Sequence, residues 1–482
     1  MNHLIKKRFW ALMTLLLLAA CNEDFLEVTP QGQVLPTSVQ NFFDMMANSN
    51  LNLGVQNHIL MADDVFFPDY EVAETNYTDR SSEIHSLRAY GWEDQLYPEE
   101  DANVDFDWRN MYHKIFVSNY VLANIDGADL ELSTEEVRQY VKGWGHFQRA
   151  LGHFTLVNLY AKHYDPATAS TDLGIPLVFE ASPTQEPMPR ATVQEVYDQV
   201  EEDINLAVEL LQNFPMGELP LLNYRPSKMA ALALKARIHQ YKAEWEASRD
   251  AAQASLDLIE EHSIIGMVPL AEHDGNPSLW PFVNNTNPEV LILETSSASG
   301  MFPVHMMTFL TEDLLSIISA EDTRLDVYTI PGTQGAYSGY VPFYNTSTSR
   351  TPSRVSTPTV PDVYLMLAEA HARLNNLGDA ESHLSTLRSE RIRNYTHTNS
   401  ANADALLQEI INERRIEHMY TGLRWFDIKR LNVLGYDISI THPIINDDST
   451  ENITLSPGAN RFVIQLPQLI IDEFDLPWIQ ND

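Results

Sequence analysis

The sequence predicts a mainly α-helical protein, built as a tetratricopeptide-like frame of helix pairs (an α–α superhelix) with long irregular loop insertions and a few short strands. Two observations indicate this class. Apolar residues recur every three or four positions in several stretches, which is the period of an amphipathic helix. In two of those stretches, small and apolar residues also follow the spacing of tetratricopeptide helix-turn-helix units.

The first segment has the order of a secretory signal: three basic residues at 6–8, an apolar run at 9–18, and Leu-Ala-Ala-Cys at 18–21. Ten apolar residues are too few to span a bilayer as a helix, which needs about 20. The Leu-Ala-Ala-Cys motif resembles the lipobox of bacterial lipoproteins. We therefore expect residues 1–20 to be a signal peptide that is removed, and Cys21 to carry lipid. The alternative is an ordinary signal peptide followed by a coincidental cysteine.

Composition excludes several function classes. The chain of 482 residues has 31 Lys and Arg against 67 Asp and Glu, a formal charge of −36. This balance argues against nucleic acid as a partner, because phosphate binding depends on clustered cations. Cys21 is the single cysteine, which excludes intramolecular disulfides and cysteine-based zinc sites. Hydrophobic residues make up 44%, enough for a sizeable packed core.

Four amphipathic helices are predicted in the first half of the chain. Residues 63–107 come before them and are dense in aromatic and charged residues without helical periodicity, so we expect long ordered loops there. The first helix begins at Trp108. The second covers 141–157 and follows an N-cap at 133–134 with carboxylates in its first turn. Residues 174–176 (Gly-Ile-Pro) are predicted in the loop that leaves it, and further helices at 192–211 and 227–241.

Two helix pairs carry the tetratricopeptide spacing. The clearer pair surrounds a turn at 375–378 and is marked by Tyr364, Leu367, Ala368, Ala380, Leu384 and Leu387. A looser copy is marked by Leu234, Ile238, Tyr241, Ala247, Ala251 and Ala254. The equivalent positions Ala247 and Ala380 are 380 − 247 = 133 residues apart, which is not a multiple of the roughly 34-residue repeat. We therefore expect an insert between the two units.

The insert covers about 262–358 and is rich in Pro, Gly, Ser, Thr and Asn. Within it we expect one short strand at 289–294 and one helix near 311–319. A closing helix is predicted at 405–420, stopped at Gly422, and followed by strand-like or loop residues to 482. Irregular segments on a rigid frame usually carry function, so the insert is a candidate binding region.

Common catalytic motifs are missing from the mature sequence: it has no nucleophile elbow, zinc-protease motif, Walker loop or dinucleotide fingerprint. Neighbouring carboxylates at 63–64 and 99–101 could in principle do the acid and base work of a glycosidase. In so acidic a chain we favour solvated surface for them. His146 and His153 can share a helix face, but their apolar neighbours indicate packed core histidines, so we predict no metal site.

The most distinctive run extends from Glu413 to Arg430 and alternates cations with acids at helical spacing. One reading is an anion site formed by Arg414, Arg424 and Arg430. We favour the structural reading, in which each cation pairs with a nearby acid, because that arrangement ties a helix end to the following segment.

At this run the sequence resembles the SusD-like (RagB/SusD) family of cell-surface nutrient-binding lipoproteins, and the likeness extends over nearly the whole mature chain. Further stretches that resemble the family in order are 21–26, 111–124, 149–177, 190–211, 225–241 and 287–290. One departure is Thr421, where many members carry Glu before the glycine.

The resemblance implies a lipid-anchored protein outside the outer membrane that caps a SusC-like TonB-dependent transporter. Such a protein binds a glycan, or in some relatives a peptide. The resemblance implies neither catalysis nor a cofactor. It also implies a division into an N-terminal region at 21–225 and a C-terminal region at 226–482. The C-terminal region includes the insert at about 262–358 and the helical motif at 405–430.

A glycan site needs aromatic rings for sugar C–H faces and polar groups for hydroxyls. Two loop segments have this mixture, and family members place their binding aromatics in corresponding regions. The candidate platforms are Trp92, Tyr70, Tyr337 and Tyr340, and the candidate hydrogen-bonding groups are Asp69 and Arg80. Each aromatic could instead pin its loop to the frame, as we expect of Trp108, Trp144 and Trp425. Peptide capture, a glycosidase and a protein scaffold remain as alternative functions.

Overall fold

The structure, a computed structural model, describes residues 36–70, 84–97, 105–182, 188–213, 225–262, 265–274, 286–294, 308–334, 337–342, 356–446, 449–473 and 476–481. Cys21 and the signal segment lie outside these residues. The helices are α1 Val39–Met46, α2 Ile84–Tyr90, α3 Phe106–Asn124, α4 Glu135–Tyr160, α5 Val193–Leu210, α6 Lys228–Tyr241, α7 Trp245–Glu261, α8 Glu312–Ser316, α9 Thr323–Tyr328, α10 Val360–Arg373, α11 Leu377–Ser389, α12 Ala403–Glu417, α13 Leu423–Val433 and α14 Gln468–Glu473.

The frame is a series of packed helix pairs, which confirms the predicted fold class. Helix α4 packs against both α3 and α5, α6 packs against α7, and α10 packs against α11. The last two pairs are the units with tetratricopeptide spacing. Helix α7 also packs against α10, so the units separated by the insert are direct neighbours in space. Most of the frame's buried apolar residues, from α1 to α13, form one continuous core.

The long helices begin where the sequence places a cap. The hydroxyl of Thr134 accepts a hydrogen bond from the backbone N–H of Val137 at 3.3 Å. At the start of α5, Thr192 and Glu195 form a reciprocal capping box: each side chain accepts from the other's backbone N–H. Such caps satisfy N–H groups that have no partner inside the helix. They explain why the helix starts were predictable from local sequence.

The strands form four antiparallel pairs among the described residues. Their bounds are β1 Val65–Phe66, β2 Leu173–Pro176, β3 Arg190–Thr192, β4 Phe309–Leu310, β5 Thr329–Gln334, β6 Tyr337–Pro342, β7 Ile440–Asn446 and β8 Ser449–Leu455. The pairs are β1 with β4, β2 with β3, β5 with β6, and β7 with β8. The Gly-Ile-Pro segment predicted as loop therefore ends a short strand.

Two predictions for the second half of the chain are wrong. Residues 289–294 form no strand and make a single β-bridge, between Val290 and Thr359, although Val290 to Leu293 are each only 1% exposed. After Gly422 the chain forms helix α13 rather than strand or loop. Helix α9 and the β5–β6 hairpin were not anticipated within the insert.

A network of buried arginines and carboxylates joins α12 and α13 to the rest of the frame. Arg414 donates to Asp362 of α10 and, at 2.9 and 3.0 Å, to both carboxylate oxygens of Asp427 of α13. Arg430 donates to Asp427 at 2.7 Å and makes a two-pronged bond to Glu369 at 2.8 Å for both contacts. All five side chains are nearly inaccessible to solvent. The structural reading of the 413–430 run is confirmed for its arginines, although most of the acids that pair with them are distant in the sequence.

The same run extends the network toward the insert. The guanidinium of Arg391 donates to Glu289 at 2.7 Å and to Glu417 at 3.0 Å. Arg324, completely buried, donates to Glu417 at 3.0 Å and to Asp322 at 2.6 Å. Each contact is a charge-assisted hydrogen bond, the stronger class of protein hydrogen bond. The insert is thereby fixed to α12 by paired charges.

The network should make stability fall at acidic pH. Burial raises the pKa of Asp427, but the charges of Arg414 and Arg430 outweigh burial and lower it to about 2. A carboxyl whose pKa is lower in the folded state stabilises the fold above its unfolded pKa of about 3.9, and that contribution is lost as pH falls toward 2. We expect Asp427→Asn to cost about 3–5 kcal/mol at pH 7, because it leaves buried arginines without a partner.

The measurement is the free energy of unfolding by urea between pH 3 and 7. The matched control is Asp126→Asn, since Asp126 pairs with Lys142 at 2.8 Å on the exposed surface. That change should cost less than about 1 kcal/mol. Equal losses for the two variants, or a loss for Asp427→Asn that does not shrink toward pH 3, would contradict this account.

Gly422 has a specific steric role at the start of α13. Its φ is +83°, in the left-handed region that favours glycine, and an added Cβ would lie 2.2 Å from Nε2 of His58. His58 is fully buried and stacks on Phe426 at 4.8 Å between ring centroids. A side chain at 422 therefore requires His58 to move within the core.

We expect Gly422→Ala to destabilise the protein by about 2–4 kcal/mol, the sum of backbone strain and overpacking. Gly435→Ala is a close control, because Gly435 has a φ of +84° and no heavy atom within 4 Å of an added Cβ. The control should lose only the backbone part, about 1 kcal/mol. Chemical denaturation gives the free energy of unfolding of both variants. Equal losses of stability for Gly422→Ala and Gly435→Ala would rule out the clash with His58.

Candidate functional site

A second apolar cluster, separate from the main core, underlies the predicted ligand residues. It contains buried residues of β1, β4, the β5–β6 hairpin and the end of α12, including Phe66, Phe309 and Tyr420. Three of the predicted platforms, Tyr70, Tyr337 and Tyr340, are half-buried and pack against this cluster. We call these three residues the tyrosine group. The structure therefore places side chains from distant parts of the sequence on one apolar base.

The β5–β6 hairpin fixes two members of the tyrosine group. Tyr337 pairs with Gln334 and Tyr340 with Pro331 across the hairpin. Because side chains alternate along a strand, Tyr337 and Tyr340 point to opposite faces. The ring of Tyr337 meets Phe66 and Phe309 edge-on, at centroid distances of 5.1 and 4.9 Å.

Glycines allow this packing under the hairpin. Gly332 and Gly339 are cross-strand partners, and a Cβ on Gly339 would lie 2.9 Å from the rings of both Phe309 and Tyr337. Only a residue without a side chain lets Phe309 approach the strand this closely. The hydroxyl of Tyr420 also donates to the backbone carbonyl of Tyr340, at 3.3 Å. The two glycines thus let the hairpin pack closely on Phe309, and the hydrogen bond from Tyr420 ties the hairpin to the segment after α12.

Tyr70 is held by residues of α2. Its ring lies 6.0 Å from the ring of Tyr90 and 6.3 Å from that of Phe67, and its hydroxyl is 3.5 Å from the carbonyl oxygen of Leu87. Asp69 is the adjacent residue and is also half-buried. Arg80 lies outside the described residues. The positions that can be described therefore place Tyr70 and Asp69 at the border of the second cluster.

Trp92 occupies a different environment from the tyrosine group. It is only 7% exposed, its ring stacks on His442 at 4.3 Å, and its Nε1–H donates to the carbonyl oxygen of Met61 at 3.1 Å. Its φ of +48° is unusual for a bulky residue and is held by these contacts. This placement favours a packing role for Trp92. The expected packing roles of Trp108, Trp144 and Trp425 are confirmed by their burial.

The neighbouring carboxylates at 63–64 are neither solvated nor an open catalytic pair. Arg424 binds both oxygens of Asp63 at 2.7 and 2.8 Å, and Arg415 donates to Asp64 at 2.7 Å. Burial raises the pKa of Asp63, but Arg424 and Arg415 reverse this effect and lower it to about 2. The prediction of solvated surface is wrong here, because α12 and α13 cover the pair with cations. The carboxylates at 99–101 lie outside the described residues.

The alternative interpretation, an anion site at Arg414, Arg424 and Arg430, is not supported by the structure. Each of the three guanidinium groups is bonded to carboxylates of this chain. Their positive charge is therefore already compensated. The isolated sequence could not show this, because most of the acids come from residues 63, 362 and 369, far from the run.

One group among the described residues has donor atoms close enough to hold a metal: Glu201, His239 and Glu244. The ammonium of Lys242 already bonds to both glutamates. His239 Nδ1 lies 2.6 Å from Glu244. A lysine at the position where a cation would bind argues for an ion-paired helix junction, so we propose no metal there. His146 likewise bonds to Asp203, at 2.8 Å, within the packed frame.

A cleft of about 560 Å³ opens elsewhere, lined by residues from the segment 162–173 after α4, the end of α13, the segment 457–463 and residues 479–481. Lys429 lies in it and donates to the carbonyl oxygens of Asn158 and Ala161, at 2.5 and 2.9 Å. Burial lowers the pKa of Lys429 to about 7. Arg190 donates to the carbonyls of Gly174 and Ile479. Arg190 thus fastens the C-terminal segment, and Lys429 joins α13 to the end of α4. The described lining of the cleft includes none of the tyrosine group.

Two protein-family models match this sequence. One, described as SusD-like and starch-binding, associating with the outer membrane, matches residues 24–239. The other, described as the SusD family, matches residues 333–457, so that the two together span well over half of the chain. The chain belongs to the SusD-like (RagB/SusD) family. Members of this family are described as binding proteins associated with the outer membrane.

Solved structures support the fold of this SusD-like protein. A putative sugar-binding protein of Bacteroides vulgatus superposes with a TM-score of 0.72 at 17% identity, covering 93% of this chain and 99% of the other. A SusD superfamily protein of Bacteroides thetaiotaomicron gives 0.70 at 18% identity, covering 92% and 100%. At these identities the likeness shows the shared helical frame.

A curated relative, a SusD-like protein of Formosa agariphila, is 25% identical over 263 residues. The match covers 51% of this chain and 44% of the relative, so the chain spans less than half the length of that protein. Within the described part of this SusD-like protein, no helix combines the length and the apolar character needed to cross a membrane.

Proposed function

We propose that this SusD-like protein captures oligosaccharides or polysaccharides at the cell surface and delivers them to a SusC-like TonB-dependent transporter in the outer membrane. The observation that carries the proposal is the tyrosine group. Tyr70, Tyr337 and Tyr340 come from two distant segments, yet all three residues pack against one apolar cluster and stay partly exposed, with Tyr337 and Tyr340 on opposite faces of the hairpin.

The chemistry of these residues suits a sugar. A tyrosine ring offers an apolar face to sugar C–H groups, and its hydroxyl can exchange hydrogen bonds with sugar hydroxyls. Asp69, beside Tyr70, and Arg80 are the proposed polar partners. The edge-on packing of Tyr337 restricts its ring before any ligand arrives, which lowers the entropy lost on binding. Trp92 enters this proposal only as support for the loop.

The proposed activity is binding without catalysis. Glycoside hydrolysis needs two carboxyl groups open to the substrate, one of them able to donate a proton. Of the two carboxylate groups named in the sequence analysis, the one that the structure describes, Asp63 and Asp64, is covered and held by arginines. This arrangement supports a structural role for the pair.

The first test concerns the tyrosines. We expect Tyr340→Ala and Tyr70→Ala each to weaken retention on polysaccharide affinity gels by about two- to tenfold, since an aromatic contact contributes about 0.5–1.5 kcal/mol. Tyr340→Phe should keep most of the binding, because it keeps the ring. Phe116→Ala, which removes an exposed ring 41% accessible on α3, is the control and should change nothing.

Thermal unfolding of the same variants separates binding from folding. Tyr340→Phe should melt close to the unaltered protein, whereas the two alanine variants lose some packing and should still be folded at the temperature of the binding assay. Retention of peptides from a panel, with no polysaccharide retained, would replace the glycan proposal by peptide capture. Chain shortening of an oligosaccharide would replace it by glycoside hydrolysis. Binding that is unaffected by both tyrosine changes would contradict the proposed surface.

The second test concerns the anchor. We propose that Cys21 is lipid-modified and holds the protein on the outer face of the outer membrane. Two or more acyl chains give stable membrane attachment, at about 0.8 kcal/mol per buried methylene. Cys21→Ala should move the protein from the membrane fraction to the soluble fraction, and protease added to intact cells should digest the anchored form. An unchanged membrane fraction for the variant would refute the lipid anchor.

A further inference from the structure

His442 of β7 has a set of contacts found at none of the sites above. The residue is only 1% exposed. Its imidazole is nearly parallel to the ring of Tyr90, at 4.1 Å and 6°, and to the ring of Trp92, at 4.3 Å and 19°. Two rings cannot both lie this close over the same face of a third ring. Tyr90 and Trp92 therefore cover opposite faces of His442.

Both ring nitrogens of His442 face hydrogen-bond acceptors. Nδ1 is 2.8 Å from the backbone carbonyl oxygen of Tyr90, and Nε2 is 2.8 Å from that of Ala62. A carbonyl oxygen accepts and never donates. A neutral imidazole has one N–H, so one of its nitrogens would bring a lone pair against a carbonyl lone pair. The imidazolium has two N–H donors and satisfies both carbonyls.

The surrounding charges act in both directions. Burial is the largest influence and on balance lowers the pKa of His442, although hydrogen bonds to the Tyr90 and Ala62 carbonyls and the charge of Asp63 act to raise it. The two carbonyl oxygens, which a neutral ring cannot both satisfy, are the reason for assigning the charge to the ring. The aromatic faces of Tyr90 and Trp92 add a cation–π attraction that also favours the charged ring. Asp63 is itself paired with Arg424 and Arg415, and the Tyr90 hydroxyl donates to Pro443.

We propose that His442 is an imidazolium clamped between Tyr90 and Trp92, and that its charge positions the Tyr70 side of the ligand surface. One ring joins three segments: the Ala62 loop, the end of α2 and strand β7. Tyr90 is in turn the residue against which Tyr70 packs, at 6.0 Å. The clamp also explains the left-handed backbone at Trp92, which brings the indole over the imidazole. The positioning role rests on the proposed function, whereas the protonation state does not.

The protonation state can be measured without a ligand. We expect nitrogen chemical shifts of the full mature protein, labelled at histidine, to show His442 protonated on both nitrogens at pH 7, with His442→Gln used to assign the signal. His153 is the internal control: it is equally buried, and burial lowers its pKa to about 4, so it should be neutral at the same pH. A neutral His442 at pH 6 to 7 would overturn the proposal.

The positioning role has its own readout. Amide exchange is itself base-catalysed, so exchange at 84–92 is compared as protection factors, corrected for the intrinsic rate at each pH. Raising pH through the His442 transition should lower these protection factors by about tenfold per pKa unit of lost stabilisation. This contribution is present at low pH and lost at high pH, because it belongs to the charged ring. In His442→Gln the protection should already be low at pH 6 and should no longer respond to this titration.

Ligand binding is the third measurement and tests whether the charge of His442 affects the proposed function. Retention on a polysaccharide gel should weaken with rising pH in the unaltered protein and be weak and independent of pH in His442→Gln. A charged His442 with pH-independent protection factors at 84–92 would overturn the positioning role. If no polysaccharide binds at any pH, the proposed function fails, while the nitrogen shifts and the exchange still decide the clamp. If His442→Gln does not fold, the pH series on the unaltered protein decides both points.

Discussion

The fold depends on the pairing of charges that the helices at 403–433 bring into the interior. Removing one partner from a buried ion pair costs about 3–5 kcal/mol, so arginines such as Arg414 and Arg430 are tolerated only where carboxylates meet them. Those carboxylates come from α10, α13, the insert and the loop at 63–64. Buried ion pairs add little net stability over an apolar core. Their effect here is to select one packing of these helices and loops, because any other packing would leave several buried charges without partners.

This constraint determines where the proposed ligand surface can form. Arg415 and Arg424 hold the loop at 63–64 against α12 and α13. Strand β1 follows directly at 65–66 and pairs with β4, which lies beneath the β5–β6 hairpin. The tyrosine group therefore rests on segments that are tied to the helical frame by charge pairs. A surface prepared in this way can contact a sugar without first ordering its own loops.

The sequence was informative wherever structure is local. Helix starts at Thr134 and Thr192 follow from capping residues, and the helix pairs follow from periodicity. The missed elements depend on distant partners. The apolar run at 290–293 resembles a strand, but Glu289 and Glu294 at its ends bind Arg391 and Lys114, and the run is buried without a sheet. Helix α13 was missed because its charged residues face inward. The stacking of Trp92 and Tyr90 on His442 could not be predicted from local sequence, because His442 follows Tyr90 by 352 positions.

The central claim is that the tyrosine group and its neighbouring loops bind the ligand, while the helical frame keeps the same conformation. Hydrogen–deuterium exchange with and without the oligosaccharide that the protein retains best tests it most directly. The account predicts added protection confined to 65–70, 84–92 and 329–342, with helices α5 to α7 unchanged. Protection concentrated instead around the cleft at 162–173 and 457–481, or spread evenly over the helices, would contradict it.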